Sequence, residues 1–364
     1  MKVLVAPDKF KGSLTAGEVA SAVASGFADV HPAAVVRTLP VADGGEGTVD
    51  AAVAAGYRRV RVPARGPTGA RVTASYAVRG DTAVVELAEA SGLHRLPGGP
   101  EPLAASSAGA GDVVAAAVRA GCRRIVLGVG GSACTDGGTG LLTALGARIL
   151  DDAGREVPLG GAVLTRVAAL DLSGMDLSEV DFEVASDVDN PLYGPDGAAF
   201  VYGPQKGASP DDVEVLDAGL RNWASVAGPE FAGRPGAGAA GGVGFAAMAV
   251  LGARMRPGIE LLLDLLGFDD ALAGAELVVT GEGSLDRQTL SGKAPAGVAR
   301  AAAAKGVRCV AVSGRCLLSA EELAAAGIAA AYALTDLEPD PARCMGEAAP
   351  LLRRLAHRVA VDHL

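Results

Sequence analysis

Lysine is scarce in this chain, and it gathers in short segments that contain glycine. The chain has 32 lysine and arginine residues, of which only six are lysine. Four of the six lie in turn-like segments of this kind: Lys9, Lys11, Lys206 and Lys293. An ammonium group beside backbone N–H groups that glycine leaves uncovered can neutralise a phosphate. The placement therefore favours a phosphate-binding site, although any one of these lysines alone would also fit a solvated loop.

Acidic residues gather in three further glycine- or asparagine-containing segments, each directly after an apolar run typical of a buried strand. The acids in these segments are Asp43, Glu46, Asp187, Asp189, Glu282 and Asp286. A single acid of this kind more often shapes a turn or caps a helix. Three such segments at the carboxyl ends of strands can instead hold Mg²⁺ or take a proton from a hydroxyl group. Together with the lysines they favour phosphoryl transfer, in which catalysis is mainly positioning and charge neutralisation.

A glycine-rich turn also follows a predicted strand near the middle of the chain. Gly130, Gly131 and Ser132 stand between that strand and a predicted helix. Backbone N–H groups in this setting can cradle an anion. The same segment matches a dinucleotide-binding pattern, and its glycines would equally suit a tight turn. We predict an anion cradle here rather than an NAD site.

Composition and missing motifs exclude several other classes of function. The net charge is −10 and aromatic residues make up 4% of the chain, which disfavours nucleic-acid and membrane-surface binding. The four histidines lack metal-ligand spacing, and neither a G-x-S-x-G motif nor a Walker A motif occurs. The five cysteines are odd in number and widely spaced, which is typical of reduced thiols. We therefore expect a cytoplasmic enzyme without a membrane span.

Strand-like and helix-like segments alternate along most of the chain, which predicts an α/β fold of two domains. The exception is an antiparallel section over residues 58–87. The C-terminal part repeats the pattern of the N-terminal unit, so we predict a doubly wound Rossmann-like domain formed by both chain ends, residues 1–65 and 270–364. Residues 66–269 would form an inserted mixed α/β domain. We expect the ligand cleft between the two domains.

Several of these segments together resemble one known family, the class I glycerate kinases of bacteria. The resemblance spans the chain, and the segments occur in the order found in that family. They are residues 6–14, 40–48, 130–133, 186–192, 203–207 and 280–293. The resemblance implies ATP-dependent phosphorylation of D-glycerate with Mg²⁺, on the 2-hydroxyl group to give 2-phosphoglycerate.

Roles can then be assigned to the candidate residues on that hypothesis. Catalysis is assigned to Asp187, Asp189, Lys11 and Lys293, with either aspartate as the base. Phosphate or nucleotide binding is assigned to Gly12, Ser13, Gly130, Gly131, Ser132, Lys206, Gly281 and Gly283. Contacts to the substrate or to Mg²⁺ are assigned to Asp8, Asp43, Glu46, Glu282 and Asp286.

Three alternatives stay open at this point. Phosphorylation could fall on the 3-hydroxyl group. The same loops could serve a nucleotide-binding sensor without catalysis. Residues 128–133 could belong to an NAD-dependent 2-hydroxy-acid dehydrogenase, which the missing histidine–carboxylate pair disfavours. The expected partner is a small molecule, D-glycerate, with neither nucleic acid nor membrane, and a homo-oligomer is left open.

Overall fold

The computed structural model describes residues 1–290 and 292–363, in which the chain divides into two compact units. Unit 1 comprises Met1–Asp43, Asp50–Gly56 and Pro257–Leu364, and unit 2 comprises Gly44–Val49 and Tyr57–Arg256. Ser291, which belongs to the predicted Lys293 loop, lies outside the described residues.

Strands and helices alternate along the described chain. The strands are β1 (Lys2–Pro7), β2 (Val35–Thr38), β3 (Arg58–Arg65), β4 (Arg71–Arg79), β5 (Thr82–Glu86), β6 (Arg124–Gly128), β7 (Arg148–Leu150), β8 (Ala169–Asp171), β9 (Asp181–Ala185), β10 (Arg254–Arg256), β11 (Leu277–Leu285), β12 (Arg308–Cys316) and β13 (Ile328–Ala333). The α-helices are α1 (Ala16–Val30), α2 (Thr48–Ala54), α3 (Ala88–Ser91), α4 (Ala108–Arg119), α5 (Thr139–Ala144), α6 (Ala198–Tyr202), α7 (Pro210–Ala227), α8 (Val243–Ala249), α9 (Gly258–Leu266), α10 (Phe268–Leu272), α11 (Arg287–Leu290), α12 (Ala294–Ala304), α13 (Ala320–Ala325), α14 (Pro341–Gly346) and α15 (Ala348–His363). Short 3₁₀ turns cover Leu93–Arg95, Leu164–Arg166, Pro204–Lys206, Pro229–Phe231, Ala239–Gly241 and Leu334–Asp336.

Unit 1 is built on a five-stranded parallel sheet in the order β2-β1-β11-β12-β13. Counted within the unit, this is the 2-1-3-4-5 order of flavodoxin-like doubly wound folds. Helices α1 and α15 pack together on one face, and α12 packs on β11 and β12. The strand order reverses between β1 and β11, and ligands bind at such a switch point in open α/β sheets.

Unit 2 contains a six-stranded mixed sheet in the order β10-β9-β6-β5-β4-β3. Strands β3, β4 and β5 pair antiparallel, whereas β5, β6, β9 and β10 pair parallel. The antiparallel section predicted from the alternating pattern is therefore confirmed, as is the mixed α/β class of the chain. Its core includes Trp223 packed edge-on against Phe245.

Three helices begin at local capping motifs. Thr15 and Glu18 form a reciprocal capping box at the start of α1, and Ser319 and Glu322 form another at α13. Ser209 caps α7 ahead of a proline at the first helical position. Such caps satisfy backbone N–H groups within four residues of chain, so they can be recognised in the sequence.

The bounds of the two units differ from the predicted domain bounds at residues 65 and 270. Strand β3 belongs to unit 2 because it forms a hairpin with β4. Helix α9 belongs to unit 1, where Ile259 packs against α12 at Gly297. Within the described residues, none of the helices is both long enough and apolar enough to cross a bilayer.

Candidate active site

The carboxyl ends of the central strands of unit 1 carry a row of polar side chains. The register pairs Pro7 with Gly281 and Glu282 with Ser313, and the Asp8 N–H continues the ladder by donating to Gly281 O at 2.8 Å. Residues in register on parallel strands point to the same face. Asp8, Glu282 and Ser313 thus lie side by side at the switch point of the sheet.

The acids at this edge repel one another. Burial, and then the negative charge of Asp43, raise the pKa of Asp8 to about 7, with a smaller contribution from Glu282. Burial also raises the pKa of Glu282, opposed by Thr289 and Lys293 and assisted by Asp286 and Asp43. Buried carboxylates close to one another resist ionisation unless a positive charge is brought in. The edge is therefore suited to a cation.

Glu282 is held by two partners from the segment that follows β11. The Thr289 hydroxyl donates to Glu282 Oε1 at 2.5 Å and accepts from the Asp286 N–H at 3.0 Å. The Lys293 ammonium lies 3.8 Å from Glu282 Oε2. The structure thus brings Asp286 and Lys293, both predicted site residues, to Glu282. Asp286 also accepts from the Gln288 N–H and so shapes the start of α11.

The loop after β1 contains Lys11, Gly12 and Ser13. Lys11 and Gly12 are exposed, and a β-carbon on Gly283 would lie 3.4 Å from the backbone nitrogen of Lys11. The N–H of Ser13 donates to Phe10 O, and its hydroxyl donates to Met345 O. Both donors of Ser13 are therefore used within unit 1. This does not fit the predicted phosphate contact, because a phosphate needs donors.

The glycines predicted to bind nucleotide in this unit also meet packing demands. A β-carbon on Gly281 would lie 2.3 Å from Val312 O on the neighbouring strand. A side chain there would collide with backbone, so the close approach of β11 and β12 is enough to require glycine.

In unit 2, the segment Gly44–Val49 lies across the ends of β6 and β9. A β-carbon on Gly130 would lie 2.5 Å from Gly45 Cα, and the Gly130 N–H donates to Gly44 O at 3.1 Å. The buried Glu86 accepts from the Gly47 and Val49 N–H groups. The Gly130 N–H is thus used inside the unit, which removes it from the predicted anion cradle. Glu46, in the same segment, is exposed.

The backbone N–H groups of the other two predicted cradle residues, Gly131 and Ser132, are not used within the described part of the fold. Gly131 has a φ of +72°, a conformation that glycine adopts without strain. No described residue accepts a hydrogen bond from the N–H of Gly131 or Ser132. Two successive donors in a turn of this kind can bind an anionic oxygen.

Lys206 is buried against this turn. Its side chain is only 2% exposed, and its ammonium donates to Ser132 Oγ at 2.9 Å and to Cys134 O at 2.6 Å. Burial lowers the pKa of Lys206, and the charge of Asp136 opposes the shift. Direct phosphate neutralisation by Lys206, as predicted, is not what these contacts show.

Asp187 and Asp189 are exposed residues of the loop that follows β9. The side chain of their neighbour Asn190 accepts from the Tyr202 hydroxyl at 2.6 Å and donates to Asp196 O at 2.8 Å. Burial raises the pKa of Tyr202, and the charge of Asp189 adds to the shift. These hydrogen bonds hold the loop in place, and the side chains of Asp187 and Asp189 are exposed to solvent.

Sequence reasoning missed four residues at or behind these edges. Asp136 is fully buried and accepts from Ser106, Ser107, Gly138 and Gly140. The others are Thr289, Tyr202 and Ser313, whose hydroxyl is buried without a partner among the described residues. Asp136 could have been identified from the sequence, because it stands directly before two glycines at a helix start. Ser313 is marked only by its position at the end of an apolar strand, which carries little information.

The described residues contain no group of three or more histidine, cysteine, aspartate or glutamate side chains placed to hold a metal ion by themselves. Magnesium usually binds one or two carboxylates and completes its shell with water and phosphate oxygens. The acids of unit 1 fit that kind of site better than a protein-only cage.

A doubly wound sheet with polar residues at its switch point defines an α/β protein that binds a small ligand. Comparison with known proteins makes the class specific. A model of the glycerate kinase family matches residues 3–363. The chain is 42% identical over 372 residues to the glycerate kinase of Bacillus subtilis (strain 168), which covers 100% of this chain and 97% of the relative.

Two further similar proteins support the same family assignment. The chain is 44% identical over 312 residues to a protein of Escherichia coli (strain K12) named glycerate 2-kinase, covering 83% of this chain and 82% of that protein. A crystal structure assigned to glycerate kinase 2 from Salmonella typhimurium LT2 superposes with a TM-score of 0.86 at 42% identity, covering 100% of this chain and 98% of that one. The chain belongs to the glycerate kinase family and is a kinase, as the sequence predicted.

Proposed function

We propose that this kinase transfers the γ-phosphoryl group of ATP to the 2-hydroxyl group of D-glycerate, with Mg²⁺ as cofactor. The observation that carries the proposal is the row of mutually repelling carboxylates at the switch point of unit 1 in a chain of this family. The name of the Escherichia coli relative, glycerate 2-kinase, supports the 2-hydroxyl group over the 3-hydroxyl group.

The acids of unit 1 would hold the magnesium ion. Asp8, Asp43 and Glu282 are the residues proposed for this role, directly or through water. When bound, the ion would neutralise charge on the transferring phosphoryl group. Thr289 and Lys293 keep the Glu282 carboxylate in one position, and the Lys293 ammonium adds positive charge at the same edge.

Residues of unit 2 would bind and activate the acceptor. The unpaired N–H groups of Gly131 and Ser132 donate to an anionic oxygen. Asp187 or Asp189 takes the proton of the attacking hydroxyl, because a solvent-facing carboxylate on a supported loop can reach it. The position of the active site between two domains stays a prediction of the sequence. A cytoplasmic location is also proposed, and the five free cysteines support it.

The decisive experiment is incubation of the enzyme with ATP, Mg²⁺ and D-glycerate, followed by ³¹P NMR of the product. We expect stoichiometric ADP and 2-phosphoglycerate, with no ADP formed when glycerate is omitted or EDTA is added. 3-Phosphoglycerate would overturn the choice of hydroxyl. ATP binding without any glycerate-dependent ADP would indicate the sensor, and a nicotinamide absorbance change with glycerate would indicate the dehydrogenase.

A further inference from the structure

Lys206 is a buried cation whose direct contacts are all neutral. The ammonium donates to Ser132 Oγ and to Cys134 O, and no carboxylate of the described residues lies within ion-pair distance of it. Burying an ammonium without an ionic partner is costly. A fold that needed only to join the Pro204–Lys206 turn to residues 132–134 could do so with a neutral donor. The buried Asp136 acts on this ammonium from beyond ion-pair distance. An ammonium with no directly bound anion points to an anion that arrives from outside.

The chemistry of the two groups dictates how Ser132 is oriented. An ammonium carries three N–H donors and no lone pair, so Ser132 Oγ is the acceptor in this bond. The Ser132 hydroxyl must then donate elsewhere, yet none of the described residues offers it an acceptor. Ser132 is 6% exposed, so a small part of it still faces solvent.

Three unpaired donors therefore meet in one turn. They are the Gly131 N–H, the Ser132 N–H and the Ser132 O–H. The positive charge of Lys206 lies 2.9 Å behind the last of these. Hydrogen bonds to charged groups are stronger than those between neutral groups, and a lysine behind the hydroxyl strengthens it as a donor.

We propose that Lys206 is a positioning residue that holds the Ser132 hydroxyl as a donor toward an anionic oxygen of the bound substrates. The shared chemistry is a carboxylate or phosphate oxygen, supplied either by glycerate or by ATP. The inference rests on the proposed kinase function. It replaces direct phosphate binding by Lys206 with an effect transmitted through Ser132.

The test is a double-mutant cycle with Lys206→Met, Ser132→Ala and both together. Methionine keeps the length of the side chain without charge or donors. If Lys206 acts through Ser132, each single variant should lower kcat/KM by about tenfold to a hundredfold, and the double variant should be no worse than the poorer single variant. The Tm of Lys206→Met should fall, because the substitution leaves the buried Ser132 Oγ and Cys134 O without their donor, so the kinetic cycle and not Tm carries the decision. Lys305→Met is the matched control, since Lys305 is an exposed lysine paired with Asp269.

The kinetic constants identify which substrate carries the oxygen. A higher KM for glycerate alone indicates its carboxylate, and a higher KM for ATP alone indicates a phosphate. A lower kcat with both KM values unchanged indicates the transferring phosphoryl group. Additive losses from the two substitutions, or unchanged kinetics in either single variant, would overturn the proposal while leaving the kinase function intact.

Two further measurements keep the proposal decidable. If Lys206→Met fails to fold, Ser132→Ala decides alone, and an unchanged kcat/KM in that folded variant refutes the contact. If the wild-type protein shows no glycerate-dependent ADP formation, the proposed function fails separately. The cycle is then measured as the Kd values for MgATP and for D-glycerate by calorimetry, where a non-additive loss for either ligand upholds the role of Lys206 and no loss for both rejects it.

Discussion

The Thr289 hydroxyl donates a 2.5 Å hydrogen bond to Glu282 Oε1, while its own oxygen accepts from the backbone N–H of Asp286. The threonine thereby ties the helix start after β11 to the one carboxylate that the register places between Asp8 and Ser313. Because Thr289 is fully buried, its contribution to catalysis would be to hold Glu282 in place.

Replacing this threonine should separate positioning from packing. Thr289→Val keeps the shape and removes the hydroxyl, so we expect kcat/KM to fall by about tenfold to a hundredfold. The loss of one buried and one partly buried hydrogen bond should lower the free energy of unfolding by about 1–3 kcal/mol. Thr289→Ser should restore most of the activity. The control is Thr143→Val, which removes a hydrogen bond to Thr139 O within helix α5 and should leave kcat/KM unchanged. Wild-type kinetics in Thr289→Val would refute the role.

Asp8 should make the metal-free protein less stable at neutral pH than at mildly acidic pH. Its pKa is about 7 in the fold and 3.8 in the reference state, so the folded chain binds more protons between these values. The free energy of unfolding contributed by Asp8 is therefore complete below pH 4 and is lost as the pH rises toward 7 and beyond, by on the order of a few kcal/mol.

Thermal melts in EDTA at pH 5 and pH 8 test this sign. Asp8→Asn should have a higher Tm than the wild type at pH 8 and a smaller drop in Tm between the two pH values. Asp29→Asn is the control, because the hydrogen bonds of Arg353 lower rather than raise the pKa of Asp29. Parallel pH profiles for Asp8→Asn and wild type would contradict the expectation.

Gly130 should tolerate no side chain. A β-carbon there would lie 2.5 Å from Gly45 Cα, so Gly130→Ala must displace either the Gly44–Val49 segment or the turn that follows β6. We expect a loss of about 1–3 kcal/mol in the free energy of unfolding by urea, together with reduced turnover. Gly17→Ala is the matched control. A β-carbon added at Gly17, in helix α1, would meet nothing within 4 Å. Gly17→Ala should therefore raise the free energy of unfolding by up to about 1 kcal/mol. Equal stability of the two variants would contradict the predicted collision.

We expect one of the two aspartates in the loop after β9 to be the general base that takes the proton of the attacking hydroxyl. Asn in place of Asp189 or Asp187 removes the proton acceptor without changing size, and we expect the variant at the true base to lose about 10²–10⁴-fold in kcat. Tm should stay within a few degrees of the wild-type value because both side chains are exposed. Asp196→Asn, at an exposed residue a few positions further on, is the control. Normal turnover in both Asp187→Asn and Asp189→Asn would remove the base from this loop.

Interactions that span a few residues could be predicted from the sequence. The capping boxes at Thr15 and Ser319 can be recognised in the sequence because both partners lie within four residues of each other. The antiparallel section was predicted because side-chain alternation follows directly from strand geometry. The family was predicted because its segments keep their order along the whole chain.

The bounds of the units and the contacts of the site residues could not be predicted in this way. Ser13 and Gly130 were given ligand roles, yet their donors are used by Met345, Phe10 and Gly44, which only the folded chain brings close. Thr289 lies in a segment of the family resemblance but was given no role, and Ser313 carries no local pattern that distinguishes it from ordinary strand residues.

What the sequence by itself determined is the set of elements and the chemical types at their ends, because propensity, capping and alternation act over neighbouring residues. What only the tertiary structure decided is which of those ends meet. Lys206 reaches Ser132 across 74 positions, and Asp8 joins Gly281 across more than 270, because strand pairing and burial depend on the whole chain. Burial also sets charge: the same carboxyl that would ionise freely in a loop holds its proton to about pH 7 at the switch point of unit 1.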